Sequence, residues 1–213
     1  MLFRSVRQVT GLIGPNGAGK TTLFNVISGM QEPTAGQVFV SGIDITREAP
    51  HKRAKRGLAR TFQRLELFAS LTVRDNVRVA AELAGVPDVD STVDDLMTKV
   101  GVAHLADSVA GDLPTGSARL VEIARALATM PRLLLLDEPA SGLDDGETER
   151  LGALLRELAS DGLGVLLVEH DMDLVMHVCD RIHVLDLGNI IAVGDPNSIQ
   201  HDAAVLQAYL GTA

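Results

Sequence analysis

The apolar positions change period several times along the chain. Gln8–Ile13 forms a short β-like segment, and from Lys20 the residues Leu23, Phe24, Val26 and Ile27 recur at helical spacing. This predicts a helix over Lys20–Met30, with Gly29 near its C-terminal end, where a residue without Cβ is favoured. Gln37–Ile45 (QVFVSGIDI) alternates polar and apolar around Ser41-Gly42 and predicts a β-hairpin. From about Ala49 to Thr129 the pattern is mostly helical, with breaks at Gly85–Pro87 and Gly111–Pro114. Arg132–Leu136 and Gly164–Val168 are short apolar runs, expected as buried strands, and Gly146–Ser160 between them reads as an amphipathic helix. Asp171–Cys179 predicts another helix, Arg181–Gly194 a hairpin turning at Gly188-Asn189, and Asn197–Leu210 a closing helix. Buried strands separated by helices predict an α/β fold with a mostly parallel sheet covered on both faces. The helical block reads as an inserted lobe at about 65–125, with the core at 1–64 and 126–213.

Composition narrows this picture. A chain of 213 residues, 46% hydrophobic and 22% charged, has the size and make-up of one globular domain. No apolar run reaches membrane-spanning length, and MLFRSVRQVT lacks the apolar core and cleavage site of a secretory signal. The single cysteine, Cys179, excludes a disulfide framework, fits a cytosolic setting, and sits in an apolar helical pattern as a small buried hydrophobe. A net charge of −9 argues against a nucleic-acid partner. One segment departs from that balance: Arg47, Lys52, Arg53, Lys55, Arg56, Arg60 and Arg64 crowd together, either as a solvated face or as a surface apposed to a membrane protein or to anionic headgroups.

The candidate chemistry starts at GPNGAGKTT (Gly14, Pro15, Asn16, Gly17, Ala18, Gly19, Lys20, Thr21, Thr22), which matches GxxxxGK[ST] between a predicted strand and a predicted helix. Small residues let backbone N–H groups curl around phosphate oxygens, and the helix N-terminus adds its dipole. Lys20 supplies a mobile charge to the β- and γ-phosphates, and the Thr21 hydroxyl is a ligand for Mg²⁺. ATP with Mg²⁺ is the expected occupant. Asp137 and Glu138 follow the apolar run LLLL, at the strand tip where ligands bind in open parallel sheets. Asp137 is placed for the Mg²⁺ hydration shell and Glu138 for general-base work on an attacking water.

Together these residues resemble the nucleotide-binding subunit of an ABC transporter. The glutamine loop of that family corresponds to Thr61-Phe62-Gln63, its D-loop to Ser141-Gly142-Leu143-Asp144, and its switch histidine to His170. The phrases RGLARTFQ, EIARAL, LVEHDM and AVLQAYLG look most like the ATPases of branched-chain amino acid importers. The resemblance implies that Gln63 contacts Mg²⁺ and the lytic water, and that His170 holds the γ-phosphate in line with Glu138. It further implies a cytoplasmic subunit, peripheral on the inner face of the membrane, that pairs with a second ABC ATPase subunit around two ATP molecules. Its other partners would be permease subunits and, indirectly, an extracytoplasmic binding protein.

Two features depart from the family pattern. The signature loop LSGGQ is replaced by Leu113-Pro114-Thr115-Gly116-Ser117, so Pro114 removes a hydroxyl and an N–H. Thr115, Gly116 and Ser117 are expected to keep a weakened contact in trans, with Ser117 capping the following helix. Thirteen residues precede Gly14, and Phe3 lies too near it to occupy the adenine-stacking position, so the antiparallel β-subdomain is expected to be incomplete. A truncated gene and an upstream segment supplied by another chain both account for this. The rival to an active ATPase is therefore a nucleotide-binding, dimerising module with weak turnover.

Overall fold

The computed structural model describes residues 7–210; Phe3 lies outside the described residues. In chain order the elements are β1 (Val9–Ile13), α1 (Lys20–Ser28), β2 (Phe39–Val40), β3 (Ile43–Asp44), α2 (Pro50–Lys55), β4 (Leu58–Arg60), α3 (Val73–Ala84), α4 (Val89–Lys99) and α5 (Thr115–Ala128). They continue with β5 (Leu133–Asp137), α6 (Asp145–Ser160), β6 (Gly164–Val168), α7 (Met172–Val178), β7 (Arg181–Asp186), β8 (Asn189–Gly194), α8 (Pro196–Gln200) and α9 (Ala203–Leu210).

The main sheet runs β4-β5-β6-β1-β7-β8, parallel throughout except for β8, which returns antiparallel on β7. Alternate residues of the central strands feed opposite faces. Leu12, Leu135 and Leu166 pack with Phe24 and Ile27 of α1. Ile13, Leu134, Leu136 and Leu167 pack on the other face with residues of α5, α6 and α7. Burial on both sides explains why β5 and β6 read as continuous apolar runs. The strands β2 and β3 form a two-stranded sheet of their own, and Phe39 and Ile43 are exposed on it.

The structure corrects several sequence expectations. Leu58–Arg60, within the segment read as mostly helical, is an edge strand paired in parallel with β5; a three-residue strand is too short to show its period. The β7–β8 turn is centred on Leu187 and Gly188, because Asp186 pairs with Asn189. The C-terminal segment holds two helices, α8 and α9. Cys179 closes α7 and is buried, which pushes its thiol up to about 12. Arg53 is not on a solvated face: it is 1% exposed and donates to the carbonyls of Val26, Ile27, Thr46 and Glu48.

Among the described residues, no helix is long and apolar enough to cross a membrane.

Candidate functional site

Four parallel strands end on one edge of the sheet. Ile13 leads into Gly14, Arg60 into Gln63, Asp137 into Glu138 and Val168 into His170. Register fixes this alignment, since Asp137 lies opposite Val168 and Arg60 opposite Leu135. The predicted site residues thus meet at the C-terminal edge of the strands, where open α/β sheets bind ligands.

Residues 14–22 wrap from β1 into α1. A Cβ on Gly14 would stand 2.0 Å from the Leu185 carbonyl oxygen, so only glycine lets the loop cross β7 this closely. Gly19 is the N-cap of α1 in the left-handed region, Ala18 closes a turn on the Pro15 carbonyl, and Asn16, Gly17, Thr21 and Thr22 face outward. A Cβ built on Gly17 meets nothing within 4 Å, which leaves open space over the loop. The Lys20 ammonium folds back on the carbonyls of Gly14 (2.6 Å) and Pro15 (3.1 Å). Burial lowers its pKa, while Glu138 and Asp137 work in the opposite direction. The loop and the two acids therefore share one electrostatic site.

Asp137 is buried, and burial raises its pKa against the pull of the Arg60 guanidinium 3.2 Å away. Glu138 stands at φ 52°, a left-handed conformation that costs a non-glycine residue about 1 kcal/mol. One carboxylate oxygen of Glu138 meets His170 Nε2 at 3.0 Å, and the other accepts from Gln63 Nε2 at 3.4 Å. Of the three side chains assigned catalytic roles from the sequence, Gln63 and His170 thus each contact Glu138.

Thr21, Gln63 and Asp137 carry the oxygen donors that suit a hard cation such as Mg²⁺. Among the described residues no group of three His, Cys, Asp or Glu side chains could hold a metal by itself.

Other residues of the site were hidden from sequence reading. Arg60 holds Asn25 Oδ1 (2.7 Å) and Ser28 Oγ (3.0 Å) of α1 as well as Asp137, and its guanidinium lies over the rings of Phe24 and Phe62. Arg119 of α5 donates to the carbonyls of Phe62 (2.7 Å) and Gln63, while Glu122 accepts from the Phe62 amide at 3.4 Å. The glutamine loop is thus gripped from the helix that begins at Thr115.

That helix starts earlier than expected. Pro114 is its N-cap, no side chain caps it, and Ser117 is the third helical residue, because the Pro114 carbonyl already accepts from Ala118. Thr115 is exposed and Gly116 buried against the D-loop segment. Asp144 is the N-cap of α6 in a reciprocal capping box with Glu147. A Cβ on Gly116 would approach Glu147 Oε2 to 2.8 Å and Leu143 Cδ2 to 2.9 Å. Gly116→Ala is accordingly expected to disturb the capping box and lower stability by about 1 kcal/mol in urea unfolding. That loss should shrink in a Glu147→Ala background; an undiminished loss there would place its origin elsewhere.

The ABC transporter family model matches residues 5–141, and a model described as branched-chain amino acid ATP-binding cassette transporter matches residues 189–213. The high-affinity branched-chain amino acid transport ATP-binding protein BraF of Pseudomonas aeruginosa is 41% identical, over 97% of this chain and 88% of the relative. The lipopolysaccharide export system ATP-binding protein LptB of Haemophilus influenzae is 36% identical, over 96% and 86%. Among solved structures, the ADP conformation of MJ1267, an ATP-binding cassette of an ABC transporter, superposes with a TM-score of 0.85 at 32% identity, over 97% of this chain and 89% of that one. This chain belongs to the ABC transporter family, as one of its ATP-binding, ATPase subunits.

Proposed function

We propose that this subunit powers the import of branched-chain or other hydrophobic amino acids, with Glu138 as general base and residues 14–22 as the triphosphate cradle. The contact of Glu138 with both His170 and Gln63 carries the mechanistic reading. Lys20 exchanges the Gly14 and Pro15 carbonyls for β- and γ-phosphate oxygens. Thr21, Asp137 and Gln63 would hold Mg²⁺, which would supply positive charge against that developing on the phosphates. An ionised Glu138 carboxylate only accepts, so His170 shares its Nε2 proton with it, and Gln63 donates from the other side. The carboxylate is left to take a proton from the attacking water while His170 orients the γ-phosphate.

In this reading a second ABC ATPase subunit closes over the ATP, the N-terminus of α5 at Thr115, Gly116 and Ser117 serves the partner's phosphate, and Asp144 lines the junction. A groove of about 1110 Å³ between the core and the helical segment 65–125 receives a permease segment. Its rim carries the exposed Leu83 (85%) and Met130 (66%) beside Lys55 and Arg132, and Arg60 links its wall to Asp137. This docking makes the protein peripheral on the cytoplasmic membrane face. The C-terminal match to the branched-chain amino acid model supports the cargo; the similarity to LptB supports lipopolysaccharide export as the second reading.

Proteoliposomes holding this chain with its permeases and binding protein are expected to take up leucine when ATP is supplied, and to lose both uptake and ATPase with His170→Ala. ATPase without leucine uptake would discard the amino-acid cargo. Undiminished hydrolysis in His170→Ala would discard the mechanism.

A further inference from the structure

We propose that Glu169 is a positioning residue for hydrolysis, a carboxylate that ties the loop carrying Glu138 to the loop carrying His170 and so holds the two at working distance. The inference rests on the roles proposed above for Glu138 and His170.

β5 and β6 pair up to Asp137 and Val168, and the last backbone bond between them runs from the Glu138 amide to the Val168 carbonyl at 2.9 Å. Past that point the two chains diverge into the D-loop and into α7. Glu169 sits in the opening between them, 5% exposed. Its Oε1 accepts from the Ala140 amide at 2.7 Å. Its Oε2 accepts from the amides of His170 at 3.0 Å and Asp171 at 3.4 Å.

All three contacts come from N–H donors, and both oxygens are used as acceptors. An ionised carboxylate meets that demand, and no neutral side chain of the same size does. Glutamine is the informative replacement, because its amide turns an NH₂ group towards an N–H donor and must release one of the two loops. Burial of an acid beside Glu138 is unfavourable in itself, so this carboxylate is held in place by what it binds.

The test compares the full-length chain with its Glu169→Gln variant. With Mg-ATP, kcat is expected to fall about 100-fold, the scale of an ångström-sized misplacement of reacting groups. KM and the affinity for a fluorescent ATP analogue should stay within about two-fold, since the phosphate loop is untouched. The backbone amide of Ala140 or of His170 should also lose protection from hydrogen exchange. In a His170→Ala background the same change should cost less than about three-fold, because residues that act as a unit are not additive.

An unchanged kcat in the folded variant, a matching fall in analogue affinity, or full additivity with His170→Ala overturns the proposal. If Glu169→Gln does not fold, Glu169→Asp, which keeps the charge but reaches only one loop, is expected to show the same kcat loss at unchanged analogue affinity. Failure of both variants to fold makes the carboxylate a folding element and also ends the proposal. If Glu138→Gln and His170→Ala leave kcat intact, the reading of the site falls first. If they lower it and Glu169→Gln does not, this inference alone falls.

Discussion

Glu138→Gln is expected to lower the rate of ATP hydrolysis by about 100- to 10,000-fold, the usual contribution of a positioned general base. Affinity for Mg-ATP should hold, because Lys20 and residues 14–22 remain in place. The amide keeps the size of the carboxylate: its oxygen can accept from Gln63 across the 3.4 Å contact, and its NH₂ meets His170 Nε2 across the 3.0 Å contact once that nitrogen presents its lone pair. What it loses is the ability to take a proton from water. ATP-bound dimers should therefore accumulate and be visible by light scattering, and single-turnover phosphate release should slow by the same factor as steady-state turnover. Equal hydrolysis by variant and unmutated protein would remove Glu138 from the mechanism and favour another base in the site.

The second large effect concerns stability. Arg53→Ala should lower the free energy of unfolding by about 3–5 kcal/mol, because four carbonyls each lose a hydrogen bond to a charged donor, at about 1 kcal/mol or more apiece. Two of the carbonyls that Arg53 serves, those of Val26 and Ile27, lie in the last turn of α1, where the helix dipole favours a cation. The other two, Thr46 and Glu48, belong to the segment between the small hairpin and α2. Burial lowers the pKa of this guanidinium, with Glu48 opposing, but an arginine stays charged throughout the accessible range. Arg53→Lys should recover less than half of the loss, since one ammonium cannot span four acceptors in a fixed fork. Urea unfolding at constant m-value provides the measurement. A loss under about 1 kcal/mol would mean that water satisfies these carbonyls equally well.

Arg53 also shows where sequence reading stopped. Seven cations in one stretch read as a surface, yet that stretch contains a buried structural arginine, Arg53, and a site arginine, Arg60. Composition counts charges without their partners, and the partner of Arg60 at Asp137 lies 77 residues away. Likewise Arg119 meets Phe62 across 57 residues, and Glu169 meets Ala140 across 29. Local patterns bring none of these together. The phosphate loop and the strand-tip acids were legible because their chemistry is written in consecutive residues. Strands β5 and β6 were legible because burial on both faces leaves them uniformly apolar. Ser117 was misplaced for the opposite reason: a serine before an apolar run looks like a cap, but Pro114 starts the helix first. Edge strand β4 was lost because it is three residues long and follows closely on a helix.

The backbone of Glu138 has one more consequence. At φ 52° glycine or asparagine would be more comfortable than glutamate, by about 1 kcal/mol. A laboratory selection that scored only heat resistance would therefore tend to enrich those residues at position 138 and silence the enzyme as it hardened the fold. Thermostabilising campaigns on this cassette need turnover in the screen, because position 138 invites repair of its backbone while it carries the general base proposed above.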